Sequence, residues 1–219
     1  MKVILFGATG MVGQGALREC LLDPSVDQVL SVGRTPLENK NPKLKELIHK
    51  DLWNYQSVEK ELTGYDACFF CLGTSSSGKT ETEYSHITYD LAMAAASTLS
   101  RLNPQMTFIY ISAVGADPSE KGRIMWARVR GKLENALREL PFKAVYILRP
   151  GIIVPLHGIK SKTDTYRWLY NATTPLLKVL RLGMPGVITS TEVIGRAILS
   201  IAKNGAGKKI LENRDFIRL

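Results

Sequence analysis

Along the chain, short apolar runs rich in β-branched and aromatic residues alternate with longer segments whose apolar positions recur every three or four residues. The pattern predicts strands at Val3–Gly7, Val29–Gly33, Leu47–Leu52, Ala67–Gly73, Thr107–Ala113 and Ala144–Leu148, with a last strand at Lys209–Glu212. It predicts helices at Met11–Leu22, stopped by Asp23-Pro24, and at Tyr84–Leu102, Trp126–Leu140 and Thr189–Lys203, the last capped by Ser190 or Thr191. A brief helix is expected at Ser57–Leu62. The runs ACFFCLG and FIYIS lack polar alternation, so they read as strands covered on both faces of a parallel sheet. Alternating β and α elements imply a doubly wound, Rossmann-like α/β fold with helices on both faces. After Pro150 the alternation weakens, with Pro155, Pro175 and Pro185 around helix-compatible stretches at Thr163–Tyr170 and Leu176–Leu182. Residues 151–188 are therefore expected to cap the strand ends and shape a substrate pocket within a single domain, 1–219.

Composition changes this picture little. The 219 residues are 45% hydrophobic and 22% charged, which suits one soluble domain. No apolar run approaches the ~20 residues of a membrane span. Met1-Lys2 leads straight into the first strand without a cleavage site, so a cytoplasmic protein with no membrane contact is expected. The net charge of +9 raises nucleic-acid binding, but the basic residues are dispersed and no recognition motif accompanies them. The densest group, Arg123, Arg128, Arg130 and Lys132, falls in one helix, so no nucleic-acid partner is expected. Cys20, Cys68 and Cys71 imply a reducing compartment. Residues three apart on a strand point to opposite faces, so the Cys68–Cys71 CxxC pattern predicts neither a redox pair nor a metal site.

The chemistry starts at Gly7-Ala8-Thr9-Gly10-Met11-Val12-Gly13, between the first strand and the first helix. Glycines there permit a tight turn and let a diphosphate reach backbone N–H groups at the helix start. A bare strand-to-helix turn is the bland alternative. NAD-selective folds place an acid at the end of the second strand to accept from the ribose 2′-hydroxyl. Here Gly33-Arg34-Thr35 stands instead, with no acid before Glu38. A guanidinium fork suits a 2′-phosphate, so NADP(H) is expected over NAD.

With the glycine turn and Arg34, the segments CLGT (Cys71–Thr74), FIYISAVGA (Phe108–Ala116), WARVRGKLE (Trp126–Glu134), LRPG (Leu148–Gly151) and TSTEVIGRAIL (Thr189–Leu199) resemble the atypical short-chain dehydrogenase/reductase family, nearest its Tat-interacting-protein-like branch. The likeness runs almost end to end and implies a sheet near strand order 3-2-1-4-5-6. It implies that Asp51 and Leu52 flank the adenine, that Leu72, Gly73 and Thr74 pass beneath the cofactor ribose, and that Pro150, Gly151 and Ile152 lie near the nicotinamide. The family's reduction uses a serine, a tyrosine and a lysine four residues after the tyrosine. Ser112 stands at the serine position, but Trp126 and Arg130 occupy the other two. Indole N–H only donates and cannot act as a general acid near neutral pH, whereas Arg130 can still donate to the ribose. Losing such an acid costs on the order of 10²–10⁴ in rate. Tyr84, His86 and Tyr89, at the start of the helix after strand four, are substitute acids, with Tyr89 foremost; His157 is a further one.

A second nucleotide pattern competes. Gly73-Thr74-Ser75-Ser76-Ser77-Gly78-Lys79-Thr80 matches GxxxxGKT after a strand, the phosphate loop of nucleotide triphosphatases. No later strand ends in an aspartate suited to Mg²⁺, which favours a pocket-mouth loop. Three functions follow from the residues: an NADP(H)-dependent oxidoreductase on a small carbonyl or unsaturated substrate with a non-standard proton donor, a non-catalytic NADP(H) sensor or scaffold acting on a protein partner, and a P-loop NTPase. The helices Tyr84–Leu102 and Trp126–Leu140 are the surfaces through which a homodimer would form.

Overall fold

A computed structural model describes residues 1–159 and 186–219. In chain order its elements are β1 (Lys2–Phe6), α1 (Met11–Leu22), β2 (Gln28–Gly33), β3 (Leu44–Ile48), β4 (Ala67–Phe70), α2 (Glu81–Ser85), α3 (Leu91–Leu102), β5 (Thr107–Ile111), α4 (Met125–Arg138), β6 (Ala144–Arg149), β7 (Ile152–Val154), β8 (Ile188–Ser190), α5 (Thr191–Asn204), β9 (Ile210–Glu212) and α6 (Asn213–Phe216). The central sheet has the order β3-β2-β1-β4-β5-β6-β9, and every pairing in it is parallel. The expected 3-2-1-4-5-6 order is present, extended by β9. Because β1 lies between β2 and β4, the chain reverses its direction of travel across the sheet there. A crevice opens at the carboxyl ends of the strands at such a point.

The two-residue period of each strand feeds two cores. Ile4, Phe6, Cys68, Phe70, Phe108 and Tyr110 face α3 and α4, meeting Ala92, Ala95, Leu99, Leu133 and Leu137. Val3, Leu5, Ala67, Phe69, Ile109 and Leu148 face α1 and α5, meeting Ala16, Cys20, Ile194, Ala197 and Ile198. Both faces being covered explains the uninterrupted apolar runs. Cys68 belongs to the first layer and Cys71 packs against the second, so the two sulfurs diverge as expected.

Several boundaries differ from expectation. The third strand is Leu44–Ile48 rather than Leu47–Leu52, because its register with β2 runs from Val29↔Leu44 to Gly33↔Ile48. Leu52 instead joins the core beside Tyr55 and Phe6. Strand four stops at Phe70, short of Gly73, and strand five at Ile111. The helix expected at Tyr84–Leu102 starts at Glu81, because Thr80 and Glu83 form a reciprocal capping box, and a π-helical turn, His86–Asp90, joins α2 to α3. Gln56–Val58 is a single 3₁₀ turn. β7 and β8, a parallel pair of three-residue strands, carried no signal of that length. The expected helices Thr163–Tyr170 and Leu176–Leu182 lie outside the described residues.

Candidate nucleotide site

The glycine turn follows β1 directly. Gly7 has φ +80°, and a Cβ on it would stand 2.8 Å from the backbone of Cys71 and Leu72 at the end of β4. A Cβ on Gly13 would stand 2.0 Å from the Gly7 carbonyl oxygen. These two glycines are demanded by the fold itself: one supplies the left-handed turn, the other lets α1 press against it. The Gly10 N–H donates to Gly7 O at 2.9 Å, closing the turn. Gly10 is also the N-cap of α1, with no side chain to occupy the first helical amides and no acidic residue in the first turn. The partial positive charge at that helix end is thus left for an anion.

A cleft of about 510 Å³ opens there, lined by the turn from Gly7 to Val12, by Ser31–Thr35 at the end of β2, by Leu52, and by Cys71–Gly73. Gly33 and Gly73 line it without any internal need to be glycine. A Cβ on Gly33 would meet nothing within 4 Å, and one on Gly73 only the Arg130 Nη2 at 3.8 Å. Missing side chains that the fold would tolerate leave room for something else. Arg34 and Thr35 are exposed at the lip, and among the described residues Arg34 has no side-chain partner. Leu72 lines the cleft, whereas Gly13 and Thr74 are not among the residues that line it. Asp51 is not among the residues that line the cleft, and its carboxylate accepts from the Trp53 N–H at 3.0 Å.

Beyond Gly73 the site is built by α4. Arg130 donates from Nε to the Tyr84 hydroxyl at 3.1 Å and from Nη1 to the Tyr110 hydroxyl at 3.4 Å, which aims its fork under Gly73. Burial opposes the charge on Arg130, but Tyr110, Tyr84 and Glu134 outweigh it and raise its pKa. Desolvation pushes the Tyr110 phenol up, against the pull of Arg130. Ser112 follows β5 and is 5% exposed. Its hydroxyl donates to Glu134 Oε1 at 2.5 Å, and Glu134 is paired in turn with Arg149. Trp126 lies half-buried with its ring 3.4 Å from where a Gly115 Cβ would be. The Pro150 carbonyl accepts from Val114, the Gly151 N–H donates to Asn213 Oδ1 at 3.1 Å, and the Ile152 N–H donates to Val187 O at 3.0 Å. The backbone around Pro150–Ile152 is therefore held by the protein itself.

Sequence reasoning missed Glu134, Tyr110 and Arg149. A signal existed for Glu134. Positions 127, 131, 134 and 137 form one helical stripe that is otherwise apolar or glycine, so a carboxylate there is a buried one. The structure does not bring Tyr89 to the cleft. It lies against α4, under the Lys132 ammonium at 4.8 Å from the ring centroid; five residues on from Tyr84, it falls on a different face of the helix. His86 stacks on Trp53 and pairs with Asp90 at 3.0 Å, and His157 pairs with Glu192 at 2.6 Å. The serine-rich loop is not shaped as a phosphate cradle. Thr80 spends its hydroxyl on Glu83, and Glu81 and Glu83 place negative charge in the first turn where phosphate would sit. Among the described residues no cluster of His, Cys, Asp and Glu could hold a metal ion, and no helix is long and apolar enough to cross a membrane.

No family model matches the chain. It is 32% identical over 154 residues to protein FMP52-2, mitochondrial, of Scheffersomyces stipitis, spanning 68% of this chain and 65% of that protein, just under two thirds of its length. It is 26% identical over 208 residues to protein FMP52-1, mitochondrial, of the same yeast, spanning 94% of this chain and 88% of the relative. These names overturn the expectation of a cytoplasmic protein. An absent cleavage site is weak ground against relatives named for mitochondria. Among solved structures, a short chain dehydrogenase family protein from Francisella tularensis matches with TM-score 0.64 and 13% identity, over 93% of this chain and 91% of that one. The Bordetella bronchiseptica enzyme WbmF, solved in complex with NAD⁺, matches with TM-score 0.68 and 15% identity, over 97% and 72%. The chain thus has the Rossmann-like α/β fold of short-chain dehydrogenase structures and is similar in sequence to the FMP52 proteins.

Proposed function

We propose that the chain binds a nicotinamide dinucleotide, NADP(H) in preference to NAD(H), and acts as an oxidoreductase on a small carbonyl or unsaturated substrate. The observation that carries this reading is the cleft whose wall is cleared by Gly33 and Gly73, two glycines the backbone does not require. The fold's neighbours support it, WbmF having been solved with NAD⁺. In this reading the amides of Met11, Val12 and Gly13 receive the diphosphate, and Thr9 and Gly10 close over it. Arg34 and Thr35 receive the 2′-phosphate, Leu52 covers the adenine, and Arg130 donates to the nicotinamide ribose. When bound, the dinucleotide supplies hydride chemistry beside Ser112 and Pro150–Ile152. Trp126 leaves proton donation to another group, and Tyr84 is the phenol tied to Arg130.

Calorimetric titration with NADP⁺, NAD⁺ and MgATP tests the cofactor. Arg34→Ala should weaken NADP⁺ by roughly tenfold or more and leave NAD⁺ nearly unchanged, since a charged hydrogen bond contributes about 1.5–3 kcal/mol. Equal weakening of both would mean that Arg34 does not read the 2′-phosphate. A second reading, a cofactor-dependent sensor acting on a protein partner, is favoured by Trp126 at the proton donor's place. NADPH oxidation against a panel of carbonyl compounds separates the two: turnover supports the enzyme, and binding without turnover supports the sensor.

A further inference from the structure

Glu134 is a carboxylate that the dinucleotide reading leaves without a task. It sits on the inner face of α4, 1% exposed. Arg149 holds both of its oxygens, with Nε 3.1 and 3.2 Å from Oε1 and Oε2 and Nη2 2.5 Å from Oε2. Among the described residues its other hydrogen-bond partner is the Ser112 Oγ, 2.5 Å from Oε1. An arginine fork that donates to both oxygens of a buried carboxyl is the geometry of a guanidinium on a carboxylate. A carboxylate only accepts, which means the hydrogen between Ser112 and Glu134 is the serine's. A hydroxyl has one hydrogen, and with it committed inward Ser112 offers any neighbour lone pairs alone. Burying a charged pair is costly unless its geometry is well satisfied, as it is here.

We propose that Glu134 is a positioning residue that makes Ser112 a hydrogen-bond acceptor, so that the reacting group docking at Ser112 is a hydroxyl rather than a carbonyl. The presence of a reacting group there rests on the oxidoreductase reading; the polarity of the Ser112–Glu134 bond does not. Serine lone pairs repel a carbonyl oxygen and accept from a hydroxyl. The group held at Ser112 is then the alcohol side of the proposed carbonyl couple, the substrate when the reaction runs as an oxidation by NADP⁺, and polarisation of the carbonyl in the reverse direction falls to Arg130 or a backbone N–H. Glu134→Gln inverts the arrangement. Arg149 can only donate, so it keeps the amide oxygen on its own side and turns the amide NH₂ toward Ser112. The serine then accepts from Gln and its proton is freed.

The test uses the full chain with ¹³C-labelled glutamate carboxyls and saturating NADP⁺ at pH 7. The Glu134 resonance, identified by its loss in Glu134→Gln, should lie at the carboxylate position and move in Ser112→Ala. A carboxylic-acid position, or no movement, would overturn the assigned polarity. Probes that cannot react then report docking: a tertiary alcohol and an N,N-dialkyl amide of matched skeleton, in a series of increasing chain length. The alcohol should bind wild type more tightly and displace the Glu134 resonance. Glu134→Gln should swing the alcohol-to-amide affinity ratio by about tenfold toward the amide. An unchanged ratio, a wild-type preference for the amide, or no response to either probe refutes the docking role. Calorimetry on the same samples should give equal NADP⁺ affinity for wild type and Glu134→Gln. A wild type that binds no NADP⁺ sinks the oxidoreductase reading while the resonance still judges Ser112 and Glu134.

Discussion

Gly13 and Gly73 lack a side chain for opposite reasons, and that difference separates folding from binding. A Cβ on Gly13 would sit 2.0 Å from the Gly7 carbonyl oxygen, so α1 must back away from the turn to admit it. Gly13→Ala should cost about 1–3 kcal/mol of stability, read by denaturant unfolding, and weaken NADP⁺ binding as well. A Cβ on Gly73 meets only the far end of Arg130. Gly73→Val should keep stability within about 1 kcal/mol while NADP⁺ affinity falls by roughly tenfold or more. Unfolding and calorimetry on the two variants check the contrast, and an unchanged affinity in Gly73→Val would mean that the cofactor avoids β4. The glycine turn and Arg34 were legible from the sequence because each motif is local. Ser112 was legible as a position but not as a donor, since its partner lies 22 residues away on another element. Tyr89 was misplaced because a residue five on from Tyr84 does not share its face of a helix, and here it packs against Lys132 of α4.

At the scale of elements, what the sequence showed well was each central strand, where burial on both faces leaves an unbroken apolar run. What it showed poorly was the margin. β3, at the sheet edge, has no fully buried residue, only Leu44 and Leu47 half-buried among exposed ones, so its apolar signal slid three residues toward Leu52. β7 and β8 have three residues each, too few for any period. The close crossing of α1 and α5 was also hidden. Gly15 lies against Thr191 and Gly195 against Glu19 and Gly15, a contact only the folded chain reveals. The same crossing carries an ion pair, Lys203 with Asp23 at the end of α1, 2.5 Å apart. The hydrogen bond from Lys203, followed by that from Ser25, lowers the Asp23 pKa from 3.8 to about 2. A depressed folded-state pKa stabilises above the unfolded value, and that contribution is lost as pH falls from about 4 through about 2. Asp23→Asn should therefore flatten part of the acid limb of the stability–pH curve and leave its neutral region lowered by no more than about 1 kcal/mol, the pair being partly solvated. An acid limb identical to wild type would show that the pair contributes nothing.

For the whole molecule, the parallel order β3-β2-β1-β4-β5-β6-β9 places a reversal of chain travel beside β1, and the glycine turn, Arg34 and Gly73 all converge there. The net charge of +9 is the excess of 29 basic over 20 acidic residues. Arg128 pairs with Glu81, Arg101 with Glu59 and Arg149 with Glu134, and such one-to-one pairs leave that excess unchanged. Arg34, with no side-chain partner among the described residues, stands at the cleft lip, where the proposed function places a ligand's phosphate. The most direct measurement is a crystal structure of the chain soaked with NADP⁺. The diphosphate should lie against the amides of Met11, Val12 and Gly13, with the 2′-phosphate at Arg34. A nucleotide seated instead in the Gly73–Thr80 loop near Lys79, with the glycine cleft bare, would contradict the account.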